Sequence, residues 1–346
     1  MLTTAIVEHI LATIPQRTIG VLGDLFLDRY LDLDAAITEP SIETGLDAYQ
    51  VSRVRSCPGA AGTVINNLAA LGVGRIVPIG MIGDDGEGHE LRQALAKMSA
   101  VDMSNLAITS ERRTPTYTKP MLCEPGKAPR ELNRLDIKNR LALPAAVENM
   151  LTERLAAAWS ALDVLLVLDQ VSEPECGVVT ARVRAQLAIL GETEPKKVVI
   201  VDSRERIGLF RNAWLKPNER ECLRAAGKTD DLRGALGKLM AAANRPIICT
   251  RGDKGMLIAL MGSAEPIEVH AYRVTAPIDT VGAGDSSSAA LACALASGAE
   301  LSAAAAFGNL VASITIQQIG TTGTAAPDQV RRRWHEATDP RLAPAE

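Results

Sequence analysis

Asp279-Thr280-Val281-Gly282-Ala283-Gly284-Asp285, followed at once by SSSAALACALASG, is the stretch on which the reading of this chain turns. Gly282, Ala283 and Gly284 carry little or no side chain, and the run after them has the composition of a closely packed helix. Backbone N–H groups left open at such a helix start, reinforced by the helix dipole, form a cradle for a phosphate or other oxyanion. Asp285 is the odd member, because a carboxylate in the first turn repels a phosphate that merely has to be held. A base that takes a proton from an attacking hydroxyl, while the amides stabilise a transferring phosphoryl group, accounts for it. The plainer alternative is an acidic residue at an ordinary helix start, where Asp is common.

Outward from this segment, short β-branched runs recur at Thr18–Gly23, 75–80, 163–168, 197–202, 246–250 and 255–260. Segments of helical spacing lie between most of them, such as Val64, Ile65, Leu68 and Leu71, then Leu91, Leu95 and Met98. Near-continuous apolar strands alternating with amphipathic helices predict an α/β fold whose parallel sheet is covered on both faces. Ligands in such sheets sit beyond the carboxyl ends of the strands. Two stretches interrupt the alternation: polar residues 30–57, and residues 112–136, which contain four prolines. They read either as surface excursions or as a small β-flap paired over the site.

Composition excludes several classes. The net charge of −4 is spread along the chain and offers no basic footprint for nucleic acid or an anionic membrane. Three Trp, four Tyr and three Phe are too few for base-stacking surfaces. The six cysteines, at 57, 123, 176, 222, 249 and 293, form no C-x-x-C pair and no cluster with histidine, which argues against structural zinc and a disulfide scaffold. The first residues lack the pattern of a signal peptide and no apolar run is long enough to span a bilayer, so a reduced, cytoplasmic setting is expected. Gly227-Lys228-Thr229 has the look of a Walker-loop end, but Cys222 stands where the first glycine is needed. The first strand is followed by Gly23-Asp24 without G-x-G-x-x-G, which disfavours a dinucleotide dehydrogenase.

Together these residues carry a resemblance. The segment 279–285 with its small-residue helix resembles the C-terminal signature of the ribokinase (PfkB) family of carbohydrate kinases. Gly23-Asp24-Leu25-Phe26-Leu27-Asp28-Arg29-Tyr30 is similar to the opening motif of the heptose-7-phosphate kinase branch, and 58–72 (PGAAGTVINNLAALG) to the family's glycine-rich N-terminal signature. Arg134-Leu135-Asp136, 216–221 (KPNERE), 250–255 (TRGDKG) and Phe307-Gly308-Asn309 follow in the expected order.

The resemblance implies a three-layer α/β/α sandwich, residues 1–346 forming one domain with a discontinuous lid at approximately 30–57 and 112–136. It implies transfer of the γ-phosphoryl group of ATP to a hydroxyl of a sugar or sugar phosphate. Asp285 matches the family's catalytic base, and Gly282, Ala283 and Gly284 its anion hole. Asn218 and Glu221 match an N-x-x-E element that organises Mg2+, through water, and phosphate; Thr250, Gly252, Gly255 and Asn309 match nucleotide contacts. Asp28 matches the acid that grips sugar hydroxyls. Gly59, Thr63 and Asp24 fall at the acceptor site, and loops near Asp279 and Gly320 match a K+ site. The lid implies a homodimer contact.

Departures from the family pattern bear on the substrate. Ala60 replaces the second glycine of a pair, and Thr63 replaces an asparagine that contacts the sugar. Ser172 and Met121 stand where the heptose branch has lysine and arginine, which predicts weaker recognition of a phosphate already on the acceptor, since each such charge-assisted bond contributes about 1.5–3 kcal/mol. No nucleotidyltransferase domain follows Glu346, so a kinase without that second activity is expected. The competing expectations are a kinase of a nucleoside or other non-sugar alcohol, and a non-catalytic relative that binds nucleotide or a metabolite.

Overall fold

The computed structural model describes residues 1–227 and 231–338. Lys228 and Thr229 of the Walker-like remnant, and the tail after the closing helix Pro327–Thr338, lie outside the described residues. The strand Thr18–Gly23, third from one edge of the main sheet, is buried along nearly its whole length. It is flanked in parallel by Val164–Asp169 and Arg75–Gly83. The nine-stranded sheet runs in the order Ile267–Val269, Met256–Ala259, Ile247–Thr250, Trp214–Leu215, Val198–Ser203, Val164–Asp169, Thr18–Gly23, Arg75–Gly83, Leu106–Thr109. All neighbours are parallel except the two pairings made by Met256–Ala259. That strand follows its partner through a tight turn with no crossover helix, and such a connection forces an antiparallel pair.

Side chains on the parallel strands alternate between two apolar layers. Val164, Leu166 and Leu168 join the core packed by helices Thr4–Thr13, Ala61–Leu71, Gly86–Ala96, Ala283–Ala296 and Leu301–Thr315. Leu165 and Val167 join the opposite core, packed by Ala145–Trp159, Ala181–Thr193 and Leu232–Ala243. The result is a helix–sheet–helix sandwich. Ala283–Ala296 and Leu301–Thr315 approach closely because their facing residues are small: a Cβ on Gly308 would lie 3.4 Å from the Ser287 carbonyl. All six expected strands are present. Trp214–Leu215, Leu106–Thr109 and Ile267–Val269 are added, and runs of two to four residues are too short to display a period.

The two irregular stretches contribute to a second sheet of five strands. Leu25–Asp34 lies between Val51–Ala60, antiparallel, and Thr116–Cys123, parallel; Leu135–Ile137 and Arg130–Glu131 both pair with Thr116–Cys123. Its strands Leu25–Asp34 and Val51–Ala60 begin before residue 30 and end after residue 57. The apolar start Leu25-Phe26-Leu27 is buried while the rest of the strand is mostly half-exposed, so its sequence conceals the join. A register shift at Asp32/Leu33 interrupts the pairing with Val51–Ala60 near the far end of the strand.

Candidate active site

A cavity of about 430 Å³ opens between the carboxyl ends of the parallel strands and the small sheet. Asp28, Tyr117 and Lys119 line it from the small sheet, and Gln170, Arg204, Gly282 and Asp285 from the other side. Gly282 begins the helix Ala283–Ala296 in the left-handed conformation, φ 80°, which glycine adopts without steric cost. Nothing lies within 4 Å of a Cβ placed on Gly284, so the first turn is open above it. The anion cradle differs from expectation in one member. The Ala283 N–H is turned back onto the Thr280 carbonyl at 3.2 Å, so among the described residues the open amides are those of Gly282, Gly284 and Asp285 itself. Asp279 fastens this loop, accepting from the Val281 N–H at 3.0 Å and the Gly320 N–H at 3.1 Å.

The Asp285 carboxyl receives the Gln170 amide at 3.4 Å. Burial in the cleft, reinforced by the charge of Asp202, raises its pKa from 3.8 to about 6, while Lys216 and Arg204 pull the other way. Beside it lies a cluster the sequence reading did not single out. Lys216 is buried and sits 2.8 Å from Asp202. Burial alone favours loss of its proton, but Asp202, Asp285 and Glu221 hold it charged, with its pKa above the ordinary value. Glu221 is pushed upward, first by burial and then by Asp202. Asp202 and Gln170 did leave a signal: each is a polar residue at or just beyond the end of an apolar parallel strand, where such folds place chemistry.

Asn218 and Glu221 form a reciprocal capping box, each side chain accepting the other's backbone N–H, at 2.8 and 2.9 Å. The box fixes the entry of helix Glu219–Ala225 and leaves Asn218 Nδ2 and one Glu221 oxygen for other partners. Asn218 bridges Thr250 across the sheet edge, so the two expected nucleotide contacts are adjacent. Gly252 follows at φ 61° with open space around it. Gly255 has a different reason to be glycine, since a Cβ there would meet the Val269 carbonyl at 2.1 Å. The Asn309 side chain is likewise occupied. Its amide donates to the Val269 and His270 carbonyls at 3.0 and 3.1 Å, tying helix Leu301–Thr315 to the loop after Ile267–Val269.

On the small sheet, Asp28 faces Lys119 at 3.4 Å, and Lys119 donates to the Tyr30 hydroxyl at 3.1 Å. Gly59 makes room for this carboxylate: a Cβ there would fall 2.9 Å from Asp28 Cγ. Ala60 and Thr63 also line the main cavity, as does Met121. Ala60 sits at φ 52°, ψ −118°, a conformation suited to glycine. Asp24 does not reach the main cavity. It is buried, accepts the Val178 N–H at 2.9 Å on Oδ1, leaves Oδ2 without a partner, and lines a neighbouring cavity of about 100 Å³. Burial raises its pKa from 3.8 to about 7.

A helix–sheet–helix sandwich with a cavity at the strand ends, lined by Asp28 on one side and by Asp285 at a helix start on the other, is the architecture of the ribokinase fold. Solved structures of that fold cover 92% of this chain. Ribokinase from Arabidopsis thaliana, complexed with ribose and ATP, superposes with a TM-score of 0.64 at 18% identity over 98% of its own length. A phosphofructokinase-2 mutant from Escherichia coli does so with 0.67 at 20% identity over 98% of its length. The model of the pfkB family carbohydrate kinases matches residues 140–329. Among curated relatives, the bifunctional protein HldE of Caulobacter sp. (strain K31) is 33% identical across 96% of this chain and 67% of the relative. That of Citrifermentans bemidjiense is 31% identical across 92% of this chain and 64% of the relative. The chain thus belongs to the pfkB family of carbohydrate kinases, phosphotransferases that act on a sugar hydroxyl with ATP. It spans about two thirds of the length of the curated relatives it matches.

Proposed function

We propose that the protein transfers the γ-phosphoryl group of ATP to a hydroxyl of a sugar or sugar phosphate seated between Asp28 and Asp285. The observation that carries this reading is Asp285 itself: a carboxylate of raised basicity, in the first turn of a helix with open amides, facing an acceptor pocket. Asp285 takes the proton of the acceptor hydroxyl as its oxygen bonds to the γ-phosphorus and the bond to the ADP oxygen breaks. The Gly282, Gly284 and Asp285 amides stabilise the charge on the moving phosphoryl group. Asp28, with Lys119 beside it, grips acceptor hydroxyls. Thr63, Gly59 and Ala60 shape the pocket wall. The nucleotide lies along Asn218, Thr250 and Gly252, with Gly255 and Asn309 supporting that wall rather than touching it.

The residues fit a magnesium ion that keeps most of its waters. Glu221 and Asp202 are acids close enough to raise the proton affinity of Glu221, a repulsion a divalent cation relieves, and Asn218 stands beside them. Glu221, with Asn218 through water, would hold it, and when bound it supplies neutralisation of phosphate charge. A K+ ion near the Asp279–Gly320 junction, a homodimer through the small sheet and a cytoplasmic location belong to the same reading. Among the described residues no helix is long and apolar enough to cross a membrane. ATP consumption across a panel of sugars and sugar phosphates, with and without potassium, tests the proposal. Turnover of at least one member is expected; tight ATP binding with a flat panel overturns it in favour of a non-catalytic binder.

A further inference from the structure

We infer that Arg29 is a positioning residue for the acceptor: from the face of the small sheet turned away from the pocket, it locks that sheet to the helix Gly86–Ala96 through Glu90 and Glu87, and so holds Asp28 opposite Asp285. The inference rests on the kinase reading above and adds to it residues that set acceptor affinity without touching the acceptor.

Alternation along the strand is the first support. Phe26, Asp28 and Tyr30 line the main cavity, and so do Tyr117, Lys119 and Met121 of the neighbouring strand Thr116–Cys123. Successive side chains of a strand point to opposite faces, so Arg29 leaves by the other one. Neither Arg29 nor Glu87 nor Glu90 lines the cavity. Glu90 accepts Arg29 Nε at 3.1 Å and takes Nη2 as well, a two-pronged contact, and Glu87 lies 3.6 Å from Nη1. One peptide joins Arg29 to Asp28, so a shift of the strand at Arg29 is passed to the carboxylate that grips the acceptor.

The helix Gly86–Ala96 belongs to the body of the protein. It follows the main-sheet strand Arg75–Gly83, and its Leu91 and Leu95 are part of the core on that face. The start of this helix receives three strands of the small sheet. Ser56, directly opposite Arg29 on Val51–Ala60, donates to Glu90 at 2.8 Å. Just before Thr116–Cys123, the Thr114 N–H and hydroxyl donate to Asp85, the cap of the helix, at 2.9 and 2.8 Å. Arg113 donates to Glu87 at 2.8 Å and lies 3.2 Å from Asp85. Glu90, Arg29, Glu87, Arg113 and Asp85 thus form an unbroken chain of alternating charge. A single exposed ion pair would contribute little, but the Arg29 and Glu87 side chains are only 20% and 15% exposed, and a two-pronged contact within a network fixes geometry as well as charge.

The experiment takes as acceptor the panel member with the highest kcat/KM, at saturating ATP. It compares the wild type with Arg29→Met, Arg29→Lys, Glu90→Gln, Asp28→Asn and the double variant Asp28→Asn/Arg29→Met. Arg29→Met should raise the acceptor KM by about tenfold or more while kcat and the KM for ATP change by less than about threefold, the pattern of lost acceptor binding. Arg29→Lys should recover part of the loss, and Glu90→Gln, remote from the pocket, should move KM in the same direction. Because Arg29 acts through Asp28, the double variant should be no worse than Asp28→Asn alone. Additive effects, an unchanged acceptor KM, or an equal fall in kcat and ATP affinity each overturn the assignment. Should Arg29→Met fail to fold, the Lys and Gln variants carry the same test. Hydrogen exchange separates this inference from the kinase reading. The amides of Leu25–Asp34 should exchange faster in Arg29→Met, with those of Ala283–Ala296 as in the wild type. If that holds and no acceptor is turned over, the lock stands and the kinase reading falls; unaltered exchange removes the lock.

Discussion

Asp285 concentrates the chemistry at the smallest scale. Asp285→Asn keeps the shape and the Gln170 contact but cannot take a proton. Transfer should fall by about 10²–10⁴-fold, with ATP affinity nearly unchanged by calorimetry. The pH profile follows from the same group. The base must be ionised, and its pKa is raised to about 6, so kcat/KM should climb as pH rises through about 6 and not near 4. Lys216, ahead of Arg204, restrains this shift. In Lys216→Met the acid limb should move to higher pH, and because the variant leaves Asp202 with no buried partner, stability should drop by roughly 3–5 kcal/mol in a denaturant titration.

At the scale of elements, the decisive junction is where the strand Val51–Ala60 becomes the helix Ala61–Leu71. Ala60 holds a positive φ there that costs a non-glycine residue on the order of 1–3 kcal/mol. Ala60→Gly should raise the denaturation midpoint by the equivalent of about 1 kcal/mol, once the greater freedom of glycine in the unfolded chain is subtracted. The departure at Ala60 was visible in the sequence, but its backbone angle was not. The same limit recurs elsewhere. The parallel strands and the helix start that carries Asp285 are legible because buried runs and small-residue turns leave local signatures. Lys216 with Asp202, the engaged amide of Ala283 and the backbone contacts of Asn309 depend on residues distant in sequence, which no local period records. Asn309 resembles a ligand position by order along the chain; only packing shows that its amide is already satisfied.

For the molecule as a whole, Asp24 couples folding to pH. The folded chain retains this proton to about pH 7, against an ordinary value of 3.8, so between those limits the native state binds more protons than the unfolded one. The Asp24 contribution is therefore fully present below about pH 4, is lost as pH rises through about 7, and changes no further above it. Asp24→Asn keeps the acceptor for the Val178 N–H and removes the titration. The fall in thermal midpoint between about pH 5 and 8 should accordingly be shallower in the variant, and equal slopes would assign the pH dependence to other groups.

The strand order has a consequence for how the enzyme comes into being on the ribosome. Thr18–Gly23 is synthesised long before its neighbour Val164–Asp169, and the helix Ala61–Leu71 packs against Ala283–Ala296, made more than two hundred residues later. The small sheet faces an incomplete partner until the helix Ala283–Ala296 has been made. The face of Ala61–Leu71 that Ala283–Ala296 covers must wait for those two hundred residues, an interval in which uncovered apolar surface makes a nascent chain vulnerable to aggregation.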